Sequence, residues 1–364
     1  MTGLDIAHQR LLNLGIARAS VEKRASFEKP GDVVSWLGAV QAQDCTGAKW
    51  ALGQRMRAAT DSDVEQAFTE GSILRTHLMR PTWHFVTPAD IRWMLALTAP
   101  HVHAVNATYY RKLELDQTLF TRSNDALVKA LQGGEQPTRD ELRGAFQQAG
   151  LAAKGKLRMS YLMMRAELDG IVCSGPRRGK QFTYMLLDER APQARTLERD
   201  EALSELTQRY FMSRGPAMVQ DFVKWSELTT AESRRGLEMV QTQLRQEMMD
   251  GKVYWLSLST PTAKDASPSA YLLSVYDEYI SGYKDRSATG SPETAAKLSA
   301  MGNALYYVII VDGQIVGTWK RTLKKDAVVL EMNIFTPLTD AEEQAVTMAA
   351  HQYGVFLGLP VVLG

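Results

Sequence analysis

Histidines, adjacent carboxylates, clustered cations and a pair of glutamines are the groups in this chain that could do chemistry. His77 and His84 stand on the two arms of a predicted hairpin. With its turn at Arg80-Pro81 they would face each other on one side of it. A metal would need a third ligand, from His101 or His103, and tetrahedral zinc is the only ion that set would suit. Beside Arg75, Arg80 and Trp83 the two histidines fit better as phosphate contacts, so neither a metal nor any other cofactor is expected. Asp277 and Glu278, within Tyr276-Asp277-Glu278-Tyr279, invite an acid/base reading. Adjacent side chains on a strand point to opposite faces, so the expectation is a salt bridge or hydrogen bonds to Lys284 or Arg286. Gln41-Ala42-Gln43-Asp44 falls at the end of a predicted helix and, by itself, reads as an exposed helix end. Cations gather at Lys154-x-Lys156-x-Arg158, Arg177-Arg178-x-Lys180, Lys284-x-Arg286 and Lys320-Arg321-x-x-Lys324-Lys325. The Arg177–Lys180 group stands out because a hairpin tip can lie along a nucleic-acid backbone.

Other chemistries are absent. There is no glycine-rich phosphate loop, no nucleophile-elbow serine and no His-Glu-x-x-His helix, which argues against an NTPase, an α/β-hydrolase and a zinc protease. Cys45 and Cys173 are isolated, which fits a reducing cytoplasm and no disulfide framework. Met1–Gly15 lacks the pattern of a secretory signal, and no apolar run approaches the ~20 residues of a membrane span. With 45% hydrophobic and 23% charged residues over 364 positions, the chain can bury several small cores. Its net charge of +1 means that any nucleic-acid surface must come from segregating positive charge onto one face.

The elements that would position these groups follow a repeated plan. At Glu70-Gly71-Ser72-Ile73, Asp169-Gly170-Ile171-Val172 and Asp250-Gly251-Lys252-Val253 an amphipathic helix is expected to stop at glycine and turn into a β-branched strand. Helices closing into a hairpin are the plan of a winged helix. The first unit, residues 1–120, has helices near Asp5–Ala17, after Asp32 as a cap, and after a Ser62-x-x-Glu65 capping box, then strands Ser72–Met79 and Thr82–Thr87. The second, 121–195, has helices near Asn124–Leu131, from Pro137-Thr138-x-x-Glu141 to Gly150, and up to Gly170. Its hairpin is Ile171–Ser174 with Phe182–Leu187. The third, 196–270, has helices near Asp200–Met212, to Trp225 and on to Met249, then strand Lys252–Leu258 and a Ser259–Ala270 linker or long wing. Residues 271–364 form a β-rich, barrel-like domain, with Leu305–Val311 and Ile315–Arg321 joined at Asp312-Gly313, Val328–Ile334 a further strand, and a helix over Ala341–Tyr353. The expected class is α+β: three tandem winged-helix units and a C-terminal β-rich domain.

Gln41-Ala42-Gln43, followed by Arg75-Thr76-His77-Leu78-Met79-Arg80-Pro81-Thr82-Trp83-His84-Phe85, is similar to the first winged helix of the AlkZ-like (YcaQ-like) DNA glycosylases. Gly215-Pro216 with Asp221-Phe222-x-x-Trp225 resembles that family's third winged helix. Tyr276-Asp277-Glu278-Tyr279, Gly282-Tyr283-Lys284-Asp285-Arg286 and Gly317-Thr318-Trp319-Lys320-Arg321 resemble its C-terminal part. The resemblance runs from about residue 5 to the end. It implies excision of alkylated bases, N7-alkylpurines including bulky or crosslinked ones, with Gln41 and Gln43 as the catalytic motif. It also implies a monofunctional, metal-independent cytoplasmic repair enzyme, monomeric, with double-stranded DNA as partner and no membrane.

A glutamine has no useful pKa near neutrality and cannot act as an ordinary general base. Its carbonyl oxygen can hold a water under the anomeric carbon, and the same dipole favours an oxocarbenium-like transition state. That help suffices when N7-alkylation has already made the base a good leaving group. Gln43 is assigned to the water and Gln41 to its support or to the sugar. Arg75, His77, Arg80, Trp83, His84, Arg177, Arg178 and Lys180 are assigned to DNA. The alternative is a catalytically silent winged-helix DNA-binding protein or regulator.

Overall fold

The computed structural model describes residues 2–17, 27–151, 155–258, 268–301 and 307–364. Most of the expected linker, Lys154 of the first basic cluster and the start of the strand placed at Leu305–Val311 lie outside the described residues. In chain order the helices are α1 (Gly3–Asn13), α2 (Pro30–Leu37), α3 (Cys45–Gln54), α4 (Asp61–Glu70), α5 (Ile91–Lys112), α6 (Gln117–Leu131), α7 (Arg139–Gln148), α8 (Lys156–Leu168), α9 (Leu187–Arg190), α10 (Arg199–Arg214), α11 (Val219–Ser226), α12 (Thr230–Val240), α13 (Glu278–Ser281), α14 (Pro292–Ala300) and α15 (Asp340–Leu357). The strands are β1 (Val40–Gln41), β2 (Leu74–Leu78), β3 (Arg80–Val86), β4 (Val172–Arg178), β5 (Gln181–Leu186), β6 (Leu244–Met249), β7 (Lys252–Ser257), β8 (Ala270–Leu273), β9 (Val308–Val311), β10 (Gln314–Leu323), β11 (Val328–Ile334) and β12 (Val361–Leu363). No helix of the described residues is long and apolar enough to cross a membrane. The chain packs as two units. One comprises Met1–Glu65, Thr207–Trp225 and Thr229–Gly364, the other Gln66–Leu206 with Ser226–Leu228.

In the second of these units, two helix-to-strand junctions form as expected. Gly71 (φ 85°) and Gly170 (φ 69°) take the left-handed conformation that ends α4 and α8, and each helix is followed by a hairpin. Asp116 caps α6 by accepting from the Leu119 N–H at 2.7 Å, and Phe120, Leu127 and Leu131 then recur on one face. They pack with Leu142, Phe146 and Leu162 of the next two helices into one core. The Thr138-x-x-Glu141 capping box forms as expected.

The hairpin β2–β3 turns one residue earlier than expected. Met79 (φ 58°) is the turn, Arg80 and Pro81 belong to β3, and the register sets His77 against Trp83 and His84 against Thr76. The two histidines are therefore not cross-strand partners. Advancing the turn removes Arg80 from it and slips the pairing.

In the other unit, the junction at Asp250-Gly251 differs in kind. The helix expected to reach Met249 ends at Val240, and Leu244–Met249 is a strand paired with Lys252–Ser257. Asp250 (φ 47°) and Gly251 (φ 72°) are the hairpin turn itself. Asp-Gly is the preferred pair for a two-residue type I′ turn, so the same dipeptide serves a different junction. Two caps also move. Thr60 and Asp63, rather than Ser62 and Glu65, form the capping pair of α4, and Asp32 lies in the first turn of α2 after Lys29 as N-cap. Near the C-terminus β12-β11-β10-β9-β8 form a five-stranded sheet, curled as a half-barrel, with α15 packed on β8. Asp312 (φ 46°) and Gly313 (φ 81°) make the turn between β9 and β10, as expected.

Candidate active site

The two glutamines lie on the path from α2 to α3, not at a helix end. Helix α2 stops at Leu37, Gly38 (φ 75°) reverses the chain, and β1 carries Val40 and Gln41. Ala42 is fully buried, Gln43 is exposed, and Asp44 occupies the N-cap position of α3. Gln41 keeps only 8% of its surface. One amide is thus held inside the fold and the other presented to solvent, two positions apart.

The segment ahead of Gln41 is fixed from beneath by a buried arginine. A helix C-terminus leaves its last carbonyls without partners, and a cation there is favoured by the helix dipole. Arg214 fills that need, donating to the carbonyls of Leu37 at 2.8 Å and Ala39 at 3.3 Å. Its charge is balanced by Glu278, whose Oε2 accepts from Arg214 Nη2 at 2.6 Å, Arg214 Nε at 3.0 Å and Trp225 Nε1 at 2.9 Å. Asp277, the neighbouring carboxylate, takes a bidentate pair from Arg55 at 2.8 and 2.9 Å. Arg55 also donates to the carbonyls of Leu14 and Ala51. The Asp277-Glu278 pair therefore braces this unit, as expected, but through Arg55 and Arg214 rather than Lys284 and Arg286. Asp277 caps α13 and Glu278 begins it, so the two carboxylates diverge to separate cations.

Lys49 is the lysine nearest the motif in sequence after Asp44, and it is 3% exposed between Asp61 at 2.7 Å and Glu65 at 2.9 Å. Both carboxylates engage its ammonium, so Lys49 is tied into a structural ion-pair cluster rather than presented at the motif.

The other unit holds the residues assigned to DNA. Arg75 is 4% exposed, with its guanidinium 4.4 Å from the Trp83 ring centre and 4.2 Å from that of Phe182. His77 is buried, its Nδ1 against the Glu167 carboxylate and its ring 4.2 Å from that of Trp83. Glu167 Oε1 also accepts from Trp83 Nε1 at 3.4 Å. His84 meets the Thr82 carbonyl through Nδ1 at 3.0 Å and the Arg80 guanidinium through Nε2 at 3.3 Å. A carbonyl only accepts and a guanidinium only donates, a pair of partners that suits the tautomer with its proton on Nδ1. On the second hairpin Arg178 and Lys180 are exposed and Arg177 half-buried, and Arg178 pairs with Glu141 at 2.8 Å and donates to the Gln136 carbonyl at 2.9 Å. Among the described residues no three His, Cys, Asp or Glu side chains gather as a metal site.

Glu167, Arg55 and Arg214 escaped sequence reasoning. Glu167 looks like an ordinary helix residue. Arg214 had one signal, its place immediately before the Gly215-Pro216 break.

The family to which the chain belongs is one of DNA glycosylases. The chain matches the family "DNA glycosylase AlkZ-like" over residues 34–356 and belongs to it. It is 26% identical over 328 residues, 85% of each chain, to the interstrand DNA cross-link repair glycosylase of Streptomyces sahachiroi. The solved structure of the Streptomyces sahachiroi DNA glycosylase AlkZ is similar to it with a TM-score of 0.81 at 21% identity, covering 100% of both chains, a likeness of fold.

Proposed function

We propose that this protein hydrolyses the N-glycosidic bond of N7-alkylated purines in double-stranded DNA, including bases joined in a crosslink. The observation that carries the reading is the Gln41-Ala42-Gln43 loop, with one amide buried at 8% exposure and the next facing solvent above a braced backbone. Gln43 holds water under the anomeric carbon, and Gln41 supports it or meets the sugar. Transition-state stabilisation by a fixed dipole needs little reorganisation when its support is rigid. The crosslink-repair relative supports extension to bulky adducts. The paired state of Lys49 supports monofunctional hydrolysis, without a lysine Schiff base.

The reading divides the chain into winged helices over 1–120, 121–195 and 196–270 and a β-rich domain over 271–364, working as a monomer in the cytoplasm. In it Arg80, Trp83, Arg177, Arg178 and Lys180 meet the duplex. Arg75, His77 and His84 shape the hairpin that presents Arg80 and Trp83, consistent with their burial.

The test is single-turnover release of N7-methylguanine from duplex DNA, with undamaged-duplex binding measured in parallel. Gln43→Ala should slow release by about 10²–10³-fold, the cost of one oriented group at a developing charge, and leave duplex affinity nearly unchanged. Full activity in Gln43→Ala overturns the assignment. A wild type inactive on every N7 adduct favours a silent DNA-binding protein.

A further inference from the structure

Asp44 directly follows Gln43 and stands at the N-cap position of α3, yet its side chain makes no cap hydrogen bond. An aspartate there ordinarily accepts from the backbone N–H groups of the first turn. Here its carboxylate accepts from the Tyr307 hydroxyl and lies 3.8 Å from the Arg321 guanidinium. Arg321 donates to the Tyr307 oxygen at 3.1 Å and to the Tyr353 hydroxyl oxygen. Donation therefore runs one way, from Arg321 to Tyr307 to Asp44. The cluster is stiffly mounted. Tyr307 and Tyr353 pack edge-on against Trp319 at 5.0 and 5.1 Å, and Trp319 Nε1 donates to the Leu273 carbonyl at 3.0 Å. Burial and the Asp44 carboxylate raise the pKa of the Tyr307 hydroxyl, which keeps it a donor.

The glycine after the motif makes the same point independently. An added Cβ at Gly47 would lie 2.8 Å from Asp44 Oδ2 and 3.1 Å from the Ser274 Cβ, so a side chain there would displace the carboxylate from its present place.

We propose that Tyr307 and Arg321 form a clasp that positions Gln43 by holding Asp44, making all three positioning residues of the hydrolysis. The inference rests on the glycosylase reading and adds the residues that set its geometry. The backbone around the motif is then held on both sides, by Arg214 at Leu37 and Ala39 and by the clasp at Asp44. Residue 43 is left little torsional freedom, and misplacement by about 1 Å can cost 10² in rate. The Arg321 charge opposes that of Asp44, so the aspartate serves through its hydrogen bond rather than as a bare negative field at the sugar.

The experiment uses the full chain with two readouts: single-turnover release of N7-methylguanine at saturating protein, and backbone hydrogen exchange over residues 41–48. Tyr307→Phe keeps the ring on Trp319 and removes only the hydroxyl. It should slow release about 10- to 100-fold, speed exchange in the loop, and leave duplex affinity and melting temperature close to wild type. Asp44→Ala should behave alike, whereas Asp44→Asn, which still accepts from Tyr307, should recover most of the rate. Wild-type exchange in Tyr307→Phe, or faster exchange with an unchanged rate, overturns the clasp. Equal loss in Asp44→Asn and Asp44→Ala overturns it in favour of a role for the charge. If the wild type releases no base, the glycosylase reading falls, and the exchange measurement judges the clasp alone.

Discussion

Gln43 faces solvent while Gln41 is almost covered, and the roles proposed for them follow that difference. Only the outer amide can meet water and DNA without rearrangement. The inner one can set the orientation of what lies above it. Gln43→Glu should therefore be milder than Gln43→Ala in base release, since a carboxylate accepts the same hydrogen bond from water. If both residues act on one water, as one form of the proposal has it, the Gln41→Ala, Gln43→Ala double variant should fall short of additivity. The roles proposed for them were legible only through resemblance, since two glutamines around an alanine carry no chemical signature. The support beneath them was not legible at all: Arg214 and Glu278 are 64 residues apart and meet only in the fold. Their pairing sets the next expectation. Glu278→Ala would strand a buried guanidinium, and loss of one partner of a buried pair costs about 3–5 kcal/mol. Chemical denaturation should show that loss, with Glu278→Gln, which keeps an acceptor, well short of it.

At the scale of elements, two of the three glycine junctions were read correctly because a left-handed glycine after an amphipathic helix has few other uses. The third was misassigned because Asp-Gly ends a helix and turns a hairpin equally well, and Leu244–Met249 lacks the β-branched residues that mark a strand. The first hairpin slipped because proline drew the turn to Arg80-Pro81, whereas Met79 makes it. Beside the β6–β7 turn, Lys252 pairs with Asp285 at 2.6 Å. Partial burial works against ionisation of Asp285, but hydrogen bonds from Lys252 and Ser287 outweigh it and hold its pKa down to about 2 from an ordinary 3.8. A depressed carboxylate contributes stability that is complete above the unfolded value and is lost as pH falls through the folded one. Acid titration of stability should thus show a loss between about pH 4 and pH 2 that is reduced in Asp285→Asn. Identical acid profiles for the two proteins would exclude this contribution.

For the whole molecule, the formal net charge of +1 sets a limit that no single contact reveals. Long-range attraction to a polyanion is weak, so affinity must come from cations gathered on one face. Each phosphate neutralised adds about 0.9 to the slope of log affinity against log salt. Replacing Arg177, Arg178 and Lys180 together by alanine should flatten that slope by about two to three and weaken binding to any duplex, damaged or not. An unchanged slope would remove the second hairpin from the interface. Arg178 is expected to give the least of the three, since it must first release Glu141.

The clamp on Leu37 and Ala39 comes from a residue 177 positions along the chain, and Arg55 waits for an aspartate 222 positions away. A ribosome adding ~5–20 residues per second exposes the amino-terminal segment for on the order of ten seconds before either partner exists. Val33, Val34, Leu37 and Val40 are all buried in the finished protein, and during that interval only the part of their cover that comes from nearby helices such as α3 is present. The intervening unit, drawn almost wholly from Gln66–Leu206, is under no such delay and can condense as it emerges. Translation therefore imposes an order in which the segment bearing the glutamines is synthesised before its clamps and braced only after them. Such long-range contacts make for slow folding, and the segment bearing the glutamines is expected to gain its protection late when refolding is followed by pulsed hydrogen exchange.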